Sequence, residues 1–551
     1  MQQKLLVWIL ALSTLFFAIL MPPEAFPEGR MAVVVGASFV FLVALSEKRI
    51  PLSYVVGGAI VFSLLLIHSL LLSVDIYRSV EMLTVFWAYY CLAGFFIYSP
   101  ANSMEWFAGS IVVLSLIVSG YGLYQFFWGF DQTYNYIFYS SAEQMVKAPA
   151  LQLIGARRVY STLTLPGTLW GFLVVALPIH GVLWKRYRVL DVVLVISAVM
   201  LLTTGLLTRS FGFVAGLFVL AIATLWLRNR KLLWNRTALV VVLALSIITS
   251  ALFYSARRSS IEEANPVTLR FANWISAWNA FSANPWGTGL NTFGIVYPQY
   301  IQPGANETQF VHNTLLQLLS ELGYPLIAAA CLIIVINAKT KPRIPGSRTF
   351  AANDPRFYLC LALAVWIFHN LIDIDVYFPS VGVLGTILVA LLLQRSNLRA
   401  QKLPGFWIAA IAVASFAVVV FSGMVFVSSE LQNRAQGEHE AQKRLEAAAT
   451  LEDAKQICPI NSSLYYDSGD VLLDLYQRTR DQKFLVRAIS SFQRAIQLSP
   501  NKVGPHIGLS LCLSSAHNLD AAIQEIHTAG RLYPGSPYVL SISKLMEQRL
   551  Q

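Results

Sequence analysis

Charge is scarce in this sequence: Asp, Glu, Lys and Arg make up 13% of its 551 residues, against about 25% in a soluble domain. So thin a supply cannot cover a globular surface of this size, which excludes a water-soluble protein. Cysteine is sparse too. The five are Cys91, Cys331, Cys360, Cys458 and Cys512. Three lie in apolar runs, and none shows metal-ligand spacing. A Cys458–Cys512 disulfide is compatible with the sequence but not required by it. Lys and Arg outnumber Asp and Glu by 40 to 29, yet no nucleic-acid motif accompanies the excess, and no nucleic-acid partner is expected.

Apolar residues are what the chain has instead, at 56%. Many fall in runs approaching the ~20 residues that cross a bilayer. Thirteen spans are expected, near 5–21, 31–46, 52–73, 80–98, 106–128, 161–184, 189–207, 211–227, 237–254, 313–337, 357–371, 381–394 and 404–427. The first run could open a signal peptide, but Met21-Pro22-Pro23-Glu24 is a poor small-residue cleavage site, so it reads as a span. The expected fold is all-α: a polytopic membrane bundle over 1–427, then a small helical-repeat domain over 428–551.

Connector charge tests this count. With the N-terminus in the cytoplasm, the inner connectors hold 18 basic residues, including Lys48, Arg49, Lys185, Arg186, Arg188, Arg356 and Lys402, and the outer ones hold nine. Short outer connectors carry only Arg30, Arg78 and Arg209. That is the positive-inside pattern. It places the tail outside the cytoplasm, periplasmic or extracellular. The tail has 13 basic and 13 acidic residues, so the net charge of +11 resides in the membrane part.

The tail carries a repeat. Ala488-Ile489, Ala495, Leu498 and Pro500 recur 34 residues later as Ala522-Ile523, Ala529, Leu532 and Pro534. Small residues at fixed places let paired helices approach, and proline ends the second helix. Period and pattern resemble tetratricopeptide repeats, with a degenerate earlier unit near Leu451–Pro459. A helix over Ser429–Thr450 is expected to continue the last span. Either a docking surface for a protein or glycan partner, or a purely structural cap, fits this segment.

Polar residues in or beside spans are costly in lipid and are therefore functional candidates. Five groups are expected on the outer face. The first is Thr208-Arg209-Ser210. The second is the large loop 255–312, with Arg257, Arg258, Arg270, Trp274, Trp278 and Asn284–Phe293 (NPWGTGLNTF). Arg270, Trp274 and Trp278 recur at i+4 on one helical face, which suits a sugar-phosphate: rings stack on the sugar and guanidinium forks onto phosphate. The third is His312 followed by Asn313, Gln317 and Glu321, a polar stripe entering a span and directed at the bundle interior or a wet cavity. The fourth is His369-Asn370 with Asp373 and Asp375. The fifth is the loop 129–160 with Asp131, Tyr134, Tyr136, Tyr139, Arg157 and Arg158. Each group also has a structural alternative as anchor, loop or packing residue.

Four of these segments, Thr208–Gly212 (TRSFG), Asn284–Phe293, His312–Gly323 (HNTLLQLLSELG) and His369–Pro379 (HNLIDIDVYFP), appear in an order and spacing that resembles the O-antigen ligase and polymerase superfamily of membrane glycosyltransferases. The likeness covers about 190–395, with Thr208 standing where the family more often has Ser. It implies transfer of a glycan from an undecaprenyl diphosphate carrier to a sugar hydroxyl at the outer face of the bacterial inner membrane. No metal and no cofactor would take part. Arg209 and Arg270 would bind the diphosphate and His312 would be the base. Asn313, Gln317, Glu321, Trp274, His369, Asp373 and Asp375 would support them. Holding the diphosphate charge makes it a good leaving group, and a base that titrates near neutrality suits histidine. The acceptor would be lipid A-core in a ligase, another lipid-linked glycan in a polymerase, or a protein in an oligosaccharyltransferase. A lipid-linked sugar transporter is the alternative outside the enzymes. It is disfavoured because no paired broken helices or internal symmetry are visible.

Overall fold

The computed structural model describes residues 2–47, 50–100, 102–139, 151, 154–185, 187–228, 266–329, 354–394 and 403–550. Among these residues every regular element is a helix. The expected span 237–254, the 330–337 end of span 313–337, and Lys48, Arg49, Lys147, Arg186, Arg257, Arg258, Cys331 and Lys402 lie outside them. Among the described residues, seven helices are long and apolar enough to cross a membrane: Pro27–Ser46, Leu52–Leu72, Ile76–Ile97, Ser103–Phe138, Arg188–Leu207, Pro355–Ile372 and Gly405–Glu440. Four shorter apolar helices are Val7–Leu20, Pro166–Val182, Phe211–Leu227 and Pro379–Leu392. These match eleven of the thirteen expected spans. The chain is a polytopic helical membrane protein.

Three helices depart from expectation. The span near 106–128 does not end in a loop, because the helix runs on to Tyr139 through a π-turn at Gln125–Gly129. The segment 313–337 is not one helix. It stops at Leu322, where Gly323 takes φ +60°, and helical residues resume at 324. The helix expected over Ser429–Thr450 is in fact two. Gly405–Glu440 continues past the last span, the chain turns at Gln442 (φ +65°), and Arg444–Ile457 follows.

The chain divides into two compact units. One comprises residues 1–57, 87–264 and 341–415, the other 58–86, 265–340 and 416–551. In the first, helix Pro166–Ile179 is buried along most of its length, with Trp170 and Phe172 through Ala176 at no more than 1% exposure. A helix apolar all round belongs inside a bundle. Glycines set its spacing to its neighbours. A Cβ at Gly171 would lie 2.6 Å from the His369 ring, and one at Gly212 would lie 2.1 Å from Trp170. Small residues at such crossings let helix backbones approach in the membrane.

In the second unit the tail forms consecutive packed helices: Ser462–Thr479 against Gln482–Leu498, then Val503–Ser515 against Leu519–Leu532. The 34-residue offset is structural. Ala488 and Ala522, and Ala495 and Ala529, are all fully buried, and both helices end two residues before their prolines. Phe492 fills the gap left by Gly469 and Gly508. Cys458 and Cys512 are buried and free.

Candidate functional site

Helix Thr314–Leu322 organises the predicted site from one carboxylate. Glu321 is fully buried. Its Oε2 accepts the Asn291 N–H at 2.7 Å, and its Oε1 accepts the Phe293 N–H at 3.2 Å and Gln317 Nε2 at 2.8 Å. Charge-assisted bonds of this kind are stronger than neutral ones. The Glu321 carbonyl accepts the Gly289 N–H at 2.9 Å. The polar stripe therefore faces the NPWGTGLNTF loop, not an open cavity. Gly287 (φ +88°) and Gly289 (φ +102°) make that approach possible: a Cβ at Gly287 would meet the Glu321 carbonyl at 2.2 Å. Gly323 does the same from the other side, 2.3 Å from the Pro285 carbonyl.

A second support was not legible in the sequence. The end of helix Leu52–Leu72, the turn after it and the start of helix Ile76–Ile97 underlie the same loop. Ser79 Oγ donates to the Leu290 carbonyl at 3.0 Å, Val74 N–H to Thr288 O at 2.9 Å, and His68 Nε2 lies 2.9 Å from Trp286 O. The only signal was a polar Ser73-Val74-Asp75 step between two apolar runs.

His312 sits at the edge of this scaffold. Its backbone is left-handed, φ +55°, a conformation non-glycine residues seldom adopt. Both flanks are pinned. Val311 N–H donates to Gln317 Oε1 at 2.8 Å, and Asn313 caps the helix by accepting the Leu316 N–H at 3.0 Å. Trp274 Nε1 donates to the His312 carbonyl at 3.4 Å. Beneath lie Ala277, Phe293, Tyr297 and Val311, with Trp274 packed on them. Left-handed backbone at such a residue costs about 1–3 kcal/mol and persists only where its surroundings over-determine it, as they do here. Arg270 stands one helical turn before Trp274 on Pro266–Ala283 and is half-buried. Trp278 does not share that setting. It is 54% exposed, because two i+4 steps drift ~80° around a 3.6-residue helix.

Arg209 belongs to the first unit. It too has left-handed backbone, φ +50°, and an exposed side chain whose Nη1 donates to the Ala156 carbonyl at 3.1 Å. Arg158 Nε donates to Thr208 O at 3.2 Å, and Val159 N–H to Leu207 O at 3.2 Å. The π-turn explains why this segment docks. It presents buried Gln125, whose Oε1 accepts the Tyr160 and Ser161 N–H groups at 3.0 and 2.9 Å. Arg157 pairs with Asp131, while Tyr134 and Tyr136 are exposed. Nothing in the run from Gln125 to Gly129 marks a π-turn in the sequence.

His369, Asp373 and Asp375, also in the first unit, are buried. His369 Nδ1 lies 2.5 Å from Asp375 Oδ1, and its Nε2 lies 3.3 Å from the Gly167 carbonyl. Trp170 stacks edge-on at 4.0 Å between ring centroids. Asp375 Oδ2 accepts Asn370 Nδ2 at 3.2 Å, and Asp373 Oδ1 accepts the Ile374 N–H at 3.1 Å. The group is thus a closed knot joining helices Pro166–Ile179 and Pro355–Ile372.

The structure thus brings together Trp274, Asn291, His312, Asn313, Gln317 and Glu321 in one unit, and His369, Asp373 and Asp375 in the other. Residues 192–331, about a quarter of the chain, match the family model described as O-antigen ligase. No curated protein matches the chain. The family match bears out the resemblance to the O-antigen ligase superfamily and supports a glycan-transfer function of the ligase or polymerase type.

Proposed function

We propose, on the support of the match between residues 192–331 and the O-antigen ligase family model, that the chain transfers a glycan from undecaprenyl diphosphate to a sugar hydroxyl on lipid A-core, at the outer face of the bacterial inner membrane. His312 takes the proton of the acceptor hydroxyl. The freed oxygen attacks the anomeric carbon, the carbon–oxygen bond to the diphosphate breaks, and undecaprenyl diphosphate leaves with the electron pair. A single displacement inverts the anomeric carbon. Arg270 and Arg209 hold the diphosphate charge as it develops. No metal participates. Residues 428–551 act as a tetratricopeptide-like docking module outside the cytoplasm.

The observation that carries this reading is the over-determined, left-handed backbone of His312. Its neighbours Val311 and Asn313 are fixed, and Gln317 and Glu321 tie it to the glycine-rich loop. Strain held this firmly at a polar residue is a mark of functional sites. For Arg209 the support is the resemblance together with its own left-handed backbone. His369, Asp373 and Asp375 are proposed as positioning residues, since their polar atoms engage each other and Gly167.

The test is a transfer assay. The purified chain is given undecaprenyl-diphosphate-linked oligosaccharide and a metal chelator, with and without lipid A-core. Product on lipid A-core, unaffected by chelator, is expected. Longer lipid-linked chains without that acceptor would instead make it a polymerase, and transfer only to a protein would make it an oligosaccharyltransferase.

A further inference from the structure

A cavity of about 480 Å³ lies in the unit that holds His312, and the mechanism above makes no use of it. Three parts of the chain build it. Arg78 comes from the start of helix Ile76–Ile97. Tyr297 and Glu307 come from the segment after the glycine-rich loop, and Lys502 and Tyr533 come from the tail. Its volume falls in the range of small-molecule sites.

Its electrostatics are lopsided. Lys502 Nζ donates to Ser463 Oγ at 2.8 Å and Ser462 Oγ at 3.4 Å. Among the described residues, no ion pair joins Lys502 or the Arg78 guanidinium to a carboxylate. The nearby carboxylates are engaged by neutral donors. Asp75 accepts the Arg78 backbone N–H at 3.0 Å and Ser462 Oγ at 3.1 Å. Asp467 accepts Gln432 Nε2 at 2.6 Å. Glu307 accepts the Tyr533 hydroxyl at 2.8 Å. Burial, reinforced by Arg78, pushes the Lys502 ammonium down to about 8 against the opposing pull of Asp75 and Asp467. Two cations that face one cleft with no direct ion pair among the described residues can each take up an external anion. The tyrosines and Glu307 beside them suit sugar rings and hydroxyls.

We propose that this cavity binds an acidic sugar unit, its carboxylate held between Arg78 and Lys502 and its hydroxyls met by Glu307 and Tyr533. The choice of a sugar over other anions rests on the glycan-transfer reading. The cavity would then select acidic glycans and hold them where the tail meets the glycine-rich loop's own segment.

The test is direct binding to the full chain in phosphatidylcholine nanodiscs, by calorimetry, with trigalacturonate, maltotriose and inorganic phosphate as probes. Trigalacturonate should bind at least about tenfold more tightly than either other probe. Arg78→Gln and Lys502→Gln should each lose about tenfold or more, as expected for hydrogen bonds to charged groups. Lys502→Arg should stay within about threefold of wild type. Maltotriose binding equal to trigalacturonate overturns the proposal. So does phosphate binding equal to trigalacturonate, or unchanged affinity in both neutral variants. The wild-type comparison decides even where a variant fails to fold. Binding is read without turnover, so a chain that binds trigalacturonate yet transfers no glycan upholds the cavity and removes only the transferase reading.

Discussion

Replacing Glu321 by Gln probes the scaffold with almost no change of shape. The carboxylate accepts from the Asn291 and Phe293 N–H groups and from Gln317 Nε2. A carboxamide has one oxygen. Its NH2 must point either at the Asn291 N–H or at the Phe293 N–H and Gln317 Nε2, so at least one donor loses its acceptor inside a fully buried site. An orphaned buried donor costs about 1–3 kcal/mol, and the surviving bonds also lose charge assistance. Amide exchange over 284–300 should therefore accelerate roughly 5- to 150-fold at ~1.4 kcal/mol per decade. The disturbance should also reach His312, because Gln317 bonds Glu321 through its nitrogen and the Val311 N–H through its oxygen. Hydrogen–deuterium exchange on wild type and variant measures this. Exchange of the 284–300 peptides within about twofold of wild type refutes the role given to Glu321.

Gly287→Ala should disrupt the same loop, since its Cβ would sit 2.2 Å from a backbone carbonyl at φ +88°; faster proteolysis within 284–293 is the readout, and wild-type resistance would contradict it. Gly171→Ala should lower thermal stability in detergent by at least ~1–3 kcal/mol of overpacking, because the new methyl meets the His369 ring at 2.6 Å; an unchanged melt shows that the ring shifts freely. Trigalacturonate affinity should fall between pH 7 and pH 9. Burial, reinforced by Arg78, sets the loss of the Lys502 charge near 8 against the opposing pull of Asp75 and Asp467, so the ammonium is present below that pH and lost above it. A flat profile would remove Lys502 from the anion site.

Apolar runs made the membrane bundle readable because lipid rewards continuous hydrophobicity irrespective of partner. The i+4 spacing of Asn313, Gln317 and Glu321 likewise revealed one polar face. What it faces was hidden, because Asn291 and Phe293 lie some thirty residues away and periodicity carries no information about such pairs. The same composition that marked 313–337 as a span concealed the stop at Gly323, whose turn is set by contact with Pro285. The π-turn at Gln125–Gly129 contains no helix breaker before its last residue and is stabilised from outside, by the Tyr160 and Ser161 N–H groups. His369 and Asp375 stood out as costly polar residues at the end of a span, yet Gly167 and Gly171 gave no hint that they make room for them. Arg78 and Lys502 were ordinary connector and tail charges until the fold brought them to one cavity.

The most direct test of the central claim is glycan transfer by His312→Ala, compared with wild type at equal, correctly inserted amounts in nanodiscs with undecaprenyl-diphosphate-linked donor and lipid A-core. Loss of a general base predicts a fall of about 10²–10⁴-fold in rate, with donor binding retained. Transfer by the variant at the wild-type rate contradicts the assignment of His312 as the base.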